Sequence, residues 1–179
     1  KDQWHDISVE KIIDPFLNKN KNYIKENFAG VKIVEKPATF NENEILRFFK
    51  SRHSCRDFSD EGITKAEIDK VVNFAKVTPT ACNRQTSRVH FFNDRNIIKK
   101  LIDNQFGSQG WCDNATGLLV ITSNQTYFGG TYERHEALID GGLYAMNIVW
   151  GLHLLRIGSC FKMFVREPER ENRFKKIAG

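Results

Sequence analysis

The chain has 179 residues, of which 40% are hydrophobic and 27% charged, and its formal net charge is +5. These values are ordinary for a soluble globular protein, and the length predicts one domain with a substantial core. No apolar run is long enough to span a bilayer, and no signal-peptide pattern is present. Basic residues are dispersed among acidic ones, so nucleic-acid binding is only a distant alternative.

The four cysteines are widely spaced, without a Cys-x-x-Cys pair. This pattern argues against a zinc site and against a secreted disulfide scaffold, and it predicts a reducing, cytoplasmic location. We expect all four to be small buried residues rather than nucleophiles, as is usual for free cysteine. The residues concerned are Cys55, Cys82, Cys112 and Cys160.

The N-terminal part, residues 1–42, is predicted to be a helical extension with one or two amphipathic helices. The domain proper, residues 43–179, is predicted to begin with a helix from Asn43 to about Arg52. Four apolar residues of this helix are expected on its buried side: Ile45, Leu46, Phe48 and Phe49.

The middle of the chain alternates between helical and strand patterns. Thr64 and Glu67 form a capping box that opens a helix. A short strand at Arg88–Phe92 and a helix around residues 97–102 follow. The apolar run within Gly117–Ser123 predicts a fully buried strand.

The C-terminal part is dominated by the segment Glu133–Leu155, which is apolar almost all round. Such a helix is usually central to a domain. A further strand is predicted at Gly158–Phe164, and Pro168 marks the start of a short final helix. Helices around a few strands indicate an α+β or mixed α/β fold.

The run from Arg52 to Phe58 is the first candidate site. Arg52 and Arg56 are four residues apart and would share a face if the preceding helix continued. Arginine binds phosphate or carboxylate oxygens through a planar fork of donors, and Ser54 could add a hydroxyl donor. The alternative is a solvated basic helix end.

The loop from Thr78 to Gln85 is the second candidate. Small residues after Pro79 would let the backbone approach a flat ligand, while Asn83 and Gln85 offer donors and acceptors. The alternative is a polar connection between a helix and a strand.

The third candidate is Asp140-Gly141-Gly142, inside the long apolar helix. Two adjacent glycines cost about 1 kcal/mol each relative to alanine, so another helix or a ligand is expected close to this backbone. Asp140 is expected to cap or pair locally.

Together these runs resemble the FMN-dependent nitroreductase family. Residues 52–58 match its Arg-x-Ser-x-Arg-x-Phe element, and residues 78–85 resemble its Pro-Ser-x-x-Asn-x-Gln loop, with Thr80 in place of serine. Residues 133–160 are similar to its central helix and the strand after it. The resemblance covers about residues 43–178. The N-terminal extension looks most like the branch found near polysaccharide-synthesis genes.

The resemblance implies an α+β fold: three α-β-α layers with a central mixed sheet and a long apolar central helix. It also implies a homodimer with FMN at the interface. Hydride would pass from NADH or NADPH to flavin N5, and two electrons would then reach a small acceptor such as a nitroaromatic or a quinone. It implies no catalytic side chain and no metal.

The implied cofactor-binding residues fall into three groups. The phosphate, ribityl chain and pyrimidine side would be met by Arg52, His53, Ser54 and Arg56. The flavin bound mainly by the other subunit would be reached by the loop residues Pro79, Thr80, Ala81, Asn83 and Gln85. The N5 edge would lie along Gly158, Ser159, Cys160 and the backbone of Phe161.

Some features depart from the family pattern. Relatives continue with a last strand and a basic residue that helps hold the phosphate, so we expect the domain to be incomplete at Gly179. Arg156 replaces a small residue, and Phe161-Lys162-Met163 replaces a turn such as Pro-Leu-Asn. Two alternatives follow: a specialised flavin enzyme, such as a dehalogenase or a dehydrogenase of a biosynthetic intermediate, or a flavin-binding protein without turnover.

Overall fold

A computed structural model describes residues 38–107 and 110–179. The predicted N-terminal extension lies almost wholly outside these residues, so it stays a prediction. None of the described helices is long and apolar enough to cross a membrane. The elements in chain order are α1 Glu42–Ser51, α2 Lys65–Ala75, β1 Ser87–Phe92, α3 Arg95–Asp103, β2 Leu118–Ser123, α4 Glu136–Leu154 and α5 Pro168–Ala178. Short 3₁₀ turns lie at Ala81–Asn83 and Gln125–Tyr127.

Local capping signals set the starts of the helices. The Glu67 amide donates to Thr64 Oγ1 at 3.2 Å, and the Thr64 amide donates to Glu67 Oε2 at 2.8 Å. The predicted capping box of α2 is therefore confirmed. Hydrogen bonds from Thr64 also lower the pKa of Glu67. Asp94 caps α3 in a similar way, and Pro168 occupies the first turn of α5.

The main core lies between α2, α4 and the sheet. Val71 and Ala75 of α2 are fully buried against Ile148 and Leu152 of α4. The helices approach closely at Gly151, where a Cβ atom would lie 3.1 Å from Val71 Cγ1 and 3.3 Å from Val71 Cα. A side chain there would push the helices apart, so this glycine fixes their distance.

The sheet has two antiparallel strands in the described chain, with Val89 opposite Ile121 and Phe92 opposite Leu118. The α+β class is confirmed, but the sheet formed by the described residues is antiparallel and not the predicted mixed sheet. The strand β2 is only partly buried, contrary to prediction. Leu118, Leu119 and Ile121 pack against the core clusters on one side, but residues 118–121 also line an apolar cavity of about 360 Å³.

The strand predicted at Gly158–Phe164 is not formed, since residues 157–167 contain neither helix nor strand. A strand needs a neighbour that completes a hydrogen-bond ladder. The segment has one backbone bond to a distant residue in the described chain, from the Cys55 amide to the Ser159 carbonyl at 3.0 Å. Its residues 157–164 line the same cavity as β2, and no strand of the described chain pairs with them.

The apolar surfaces of α4 and α1 are less covered than predicted. The structure does not confirm α4 as a central helix, because α2 and the strands cover one side of it. Leu138 is 59% exposed and Leu143 is 47% exposed. On α1, the predicted buried side is also largely open. Phe48 packs against Trp150 and His153, and the Phe49 ring contacts Trp150 edge-on at 4.7 Å between centroids. The residues of α1 that are exposed contrary to prediction are Ile45, Leu46 and Phe49.

Candidate functional site

The arginine segment, residues 52–56, is not helical. The helix α1 ends at Ser51, whose hydroxyl donates to the Phe48 carbonyl at 2.8 Å and so satisfies a carbonyl of the last turn. The chain then runs without regular structure to Lys65. Arg52 and Arg56 therefore do not share a helical face. That prediction required the preceding helix to continue through residue 56, and it does not.

The polar side chains of this segment are available to bind a ligand. In the described part of the chain, Arg52, His53 and Ser54 make no side-chain hydrogen bond or ion pair. The Arg56 guanidinium lies over the ring of Trp111, 5.8 Å from its centroid, and has no carboxylate partner among the described residues. Two guanidinium groups and a hydroxyl with no competing acceptor fit an anionic group such as a phosphate.

The lack of a side chain at Gly158 lets the second group of predicted site residues, 158–161, lie close to this segment. A Cβ atom on Gly158 would lie 2.9 Å from Cys55 Sγ and 3.1 Å from Cys55 Cβ. The Cys55 amide also donates to the Ser159 carbonyl at 3.0 Å. The structure thus places the predicted residues 52–56 and 158–161 side by side. Ser159 and Cys160 are half-buried, whereas Phe161 is exposed.

The loop from Thr80 to Gln85 has an unusual backbone. Cys82, Asn83 and Gln85 have φ angles of 50°, 53° and 50°, in the left-handed region. Such residues cost about 1–3 kcal/mol each when they are not glycine, and they cluster at functional sites. Inside the loop, the Gln85 amide donates to Thr80 Oγ1, and Gln85 Nε2 donates to Asn83 Oδ1, both at 3.0 Å.

The first half of this loop is held by α4. The Ala81 amide donates to both carboxylate oxygens of Asp140 at 3.2 Å. Asn147 Nδ2 donates to Thr78 Oγ1 at 2.7 Å. Asp140 is only 2% exposed, and its partner lies 59 residues away. The prediction that Asp140 pairs locally is therefore wrong, because its carboxylate faces the loop rather than its own helix end.

The two glycines after Asp140 have different surroundings. A Cβ atom on Gly141 would lie 3.1 Å from Ser123 Oγ at the end of β2. On Gly142 it would meet no described atom within 4 Å. The close approach predicted for this pair is thus found at Gly141 alone, and its source is the strand β2 rather than another helix.

The second half of the loop is held by a pair that the sequence analysis missed. Arg84 Nη2 lies 2.9 Å from Glu133 Oε1, and Glu133 Oε2 accepts a hydrogen bond from the Gly129 amide at 2.7 Å. The Arg84 guanidinium also lies 5.2 Å from the ring centroid of Phe128. The hydrogen bond with Arg84 lowers the pKa of Glu133 and raises the pKa of Arg84. The only sequence signal was opposite charge, 49 residues apart.

The predicted site residues form two separate groups in one chain. Residues 52–56 lie beside 158–161, and residues 79–85 lie beside α4. Among the described residues, no hydrogen bond, ion pair or ring contact links the loop to either part of the first group. Pro79, Asn83 and Gln85 are exposed, so they can contact a group outside this chain.

The four cysteines differ in burial. Cys112 is buried, and burial raises the pKa of its thiol. Cys55 and Cys160 are half-buried, and Cys82 is exposed. The predicted burial is wrong for Cys82 because it lies in the strained loop, which the rest of the described chain covers only in part.

Comparisons with known proteins show what this chain is similar to. The model of the nitroreductase family matches residues 49–108. An Archaeoglobus fulgidus protein assigned as an NADH dehydrogenase/NAD(P)H nitroreductase is 26% identical over 136 residues, which cover 76% of each chain. An FMN reductase [NAD(P)H] of Bacillus subtilis is 26% identical over 118 residues, covering 65% of this chain and 44% of its own length.

The fold is also that of solved structures. An FMN-dependent nitroreductase from Clostridium difficile superposes with a TM-score of 0.61 at 21% identity, over 74% of this chain and 76% of its own. A nitroreductase family protein from Clostridium novyi gives a TM-score of 0.63 at 20% identity, over 73% of each chain. The family model matches across the arginine segment and the loop, so this part of the chain is similar to the nitroreductase family.

Proposed function

We propose that this chain is the FMN-binding subunit of an NAD(P)H-dependent oxidoreductase. The observation that carries the proposal is the set of available donors in residues 52–56, which lies against Gly158 and Ser159 in a chain similar to this family. When bound, FMN would take hydride from NAD(P)H and deliver two electrons to a second substrate. The names of the two relatives, an NAD(P)H nitroreductase and an FMN reductase, support this chemistry.

Arg52 and Arg56 would hold the phosphate and the pyrimidine side of the flavin. Arginine keeps its charge at any physiological pH, so it can stabilise negative charge on the ring without reorganisation. The stacking of Arg56 on Trp111 restrains that side chain before the cofactor arrives. Ser54 would add a hydroxyl donor.

Gly158 and Ser159 would supply backbone rather than side-chain contacts. Because Gly158 has no Cβ atom, this segment can lie directly against Cys55. The Ser159 carbonyl is already engaged by the Cys55 amide, so the peptide at this position has a fixed orientation. A fixed backbone donor or acceptor beside the ring would orient the hydride-accepting edge.

The active form would be a homodimer, in which the loop of one copy reaches the flavin held by the other through Pro79, Thr80, Ala81, Asn83 and Gln85. The separation of the two groups of site residues in one chain supports this arrangement, as do the exposed apolar residues of α1 and α4. An isolated soluble domain rarely exposes so many large apolar side chains on two helices. These residues are Ile45, Leu46, Phe49, Leu138, Ile139 and Leu143.

The second substrate would be a small acceptor such as a nitroaromatic compound or a quinone. The test is to add FMN to the purified chain, remove free flavin by gel filtration, and follow NADH and NADPH oxidation with each acceptor. Sedimentation of the same sample gives the number of subunits. We expect retained flavin, a dimer and acceptor-dependent turnover. A protein that stays colourless would contradict the proposal, and flavin without turnover would favour a non-enzymatic flavoprotein.

A further inference from the structure

We infer that the ion pair between Arg84 and Glu133 is a positioning device that presets Asn83 and Gln85 for their ligand. The inference rests on the proposed function, because the ligand concerned is the flavin held by the partner copy. Neither Arg84 nor Glu133 would touch the flavin in that account. They would act through the backbone of the loop between Thr80 and Gln85.

The loop has a conformation that needs external support. Three of its four residues from Cys82 to Gln85 have left-handed φ angles, and none of the three is glycine. Left to itself, such a segment relaxes toward ordinary backbone angles. In the relaxed loop, the Asn83 and Gln85 side chains would no longer point in one fixed direction.

The supports of the loop come from different parts of the chain. Asp140 holds the Ala81 amide, ahead of the left-handed residues. Arg88 Nη1 donates to the Gln85 carbonyl at 2.7 Å, but this is a local contact three residues away. Arg84 is the residue within the left-handed stretch whose side chain reaches a distant element, the turn before α4.

The far end of the support is itself fixed. Glu133 Oε2 accepts the Gly129 amide at 2.7 Å while Oε1 pairs with Arg84, so the carboxylate is held from two directions. Phe128 packs under the guanidinium. The side chains of Arg84 and Glu133 are only 25% and 20% exposed, so solvent competes less with this pair than with a surface pair.

The geometry indicates a role in orientation more than in stability. Arg84 Nη1 is buried and has no acceptor in the described chain, which costs free energy in the folded state. Ion pairs that lie away from solvent often contribute little net stability, since desolvation offsets the attraction. They can still fix one conformation of the groups that they join.

A double-mutant cycle tests the inference. The variants are Arg84→Ala, Glu133→Ala, the double variant and the conservative Arg84→Lys. The matched control is the same cycle at Lys65 and Asp69, an exposed pair on α2 at 2.6 Å with no contact to the loop. Two readouts are taken under conditions where circular dichroism shows every variant folded: the FMN dissociation constant, and amide hydrogen exchange of residues 78–87 without FMN.

We expect each single alanine variant to raise the FMN dissociation constant about tenfold, the effect of releasing one strained residue. The FMN dissociation constant of the double variant should exceed that of either single variant by no more than about twofold, because either change alone removes the whole pair. Arg84→Lys should restore part of the affinity. Exchange of the loop amides should accelerate in the alanine variants, and the control cycle should change neither readout.

Three results would overturn the inference. They are unchanged FMN affinity in both single variants, independent additive effects of the two changes, and unchanged exchange of the loop amides. If the wild-type chain bound no FMN, the proposed function would fail instead. The exchange measurement would then decide alone whether the ion pair holds the loop, and unchanged exchange would overturn that too.

Discussion

The loop at residues 80–85 and the arginine segment at residues 52–56 are opposites in one molecule. The loop is strained, and side chains as far as 59 residues away hold it in place. The arginine segment has unstrained backbone, and the side chains of Arg52, His53, Ser54 and Arg56 have no hydrogen-bond or ion-pair partner among the described residues. The loop therefore has its intramolecular contacts before a ligand binds, whereas the arginine segment has hydrogen-bond donors that are still available.

This difference separates two kinds of binding group. Fixed groups such as the loop stabilise a bound ligand without being reordered, but they depend on the surrounding fold. Open donors such as Arg52 and Arg56 depend little on the fold and gain their partners from the ligand. Changes in the arginine segment should therefore lower affinity alone, whereas changes beneath the loop should also lower the free energy of unfolding.

The largest effect is expected from the arginine segment. The double variant Arg52→Ala/Arg56→Ala should raise the FMN dissociation constant about a hundredfold, because charge-assisted hydrogen bonds contribute about 1.5–3 kcal/mol each. The free energy of unfolding without FMN should stay within about 0.5 kcal/mol of the wild type. Flavin titration and urea unfolding measure the two quantities. Lys99→Ala, which removes an exposed pair with Asp103, is the control. Equal affinities in both variants would refute the cofactor site.

The next effect tests the support beneath the loop. Asp140→Ala should lower the free energy of unfolding by about 2 kcal/mol, because it removes a buried carboxylate and leaves the half-buried Ala81 amide without its acceptor. Asp140→Asn keeps an acceptor, so it should lower the free energy of unfolding by less. Asp69→Ala, on the exposed side of α2, should change it by less than about 0.5 kcal/mol. If Asp140→Ala were as neutral as Asp69→Ala under urea, the loop would not depend on this carboxylate.

A smaller effect concerns the contact that joins the two parts of the arginine site. Gly158→Ala should lower the free energy of unfolding by about 1–2 kcal/mol, because the new methyl group would meet the Cys55 side chain at 2.9 Å. Gly62→Ala serves as its control, since a Cβ atom there meets no described atom within 4 Å. Thermal unfolding of both variants is the measurement. Equal melting temperatures would show that Gly158 tolerates a side chain and that the close approach is not needed.

The smallest effect is a pH dependence. The hydrogen bond with Arg84 holds the pKa of Glu133 below its ordinary value of 4.5. The folded state therefore binds the Glu133 proton less readily than the unfolded state, so the stabilisation is complete above pH 4.5 and is lost as the pH falls through the folded pKa. The difference in unfolding free energy between wild type and Glu133→Gln should shrink over that range. A difference that is constant from neutral to acidic pH would argue against the pair.

The sequence predicted the features that depend on neighbouring residues. The capping box at Thr64 and Glu67 and the proline at the start of α5 are local, and both are present. The prediction of a strand at residues 158–164 was wrong, because a strand forms only beside a partner strand and no local sequence pattern reveals that partner. The predicted burial of one side of α1 was wrong for a related reason: periodicity identifies an apolar face but does not show what covers it.

The candidate site divides in the same way. The arginine segment and the loop were predicted as runs of suitable residues, and the structure adds their surroundings. Asp140 and Glu133 were missed as supports because their partners lie 59 and 49 residues away. A charged residue on an apolar helix was the only sequence signal for Asp140, and it does not identify a partner 59 residues away.

The most direct test of the account is the visible absorbance spectrum of the FMN-loaded protein, recorded without oxygen before and after one equivalent of NADPH and then of NADH. The account predicts that at least one nucleotide bleaches the bound flavin and that a nitroaromatic or quinone acceptor restores its absorbance. A flavin that stays bound but is bleached by neither nucleotide would contradict the proposed oxidoreductase.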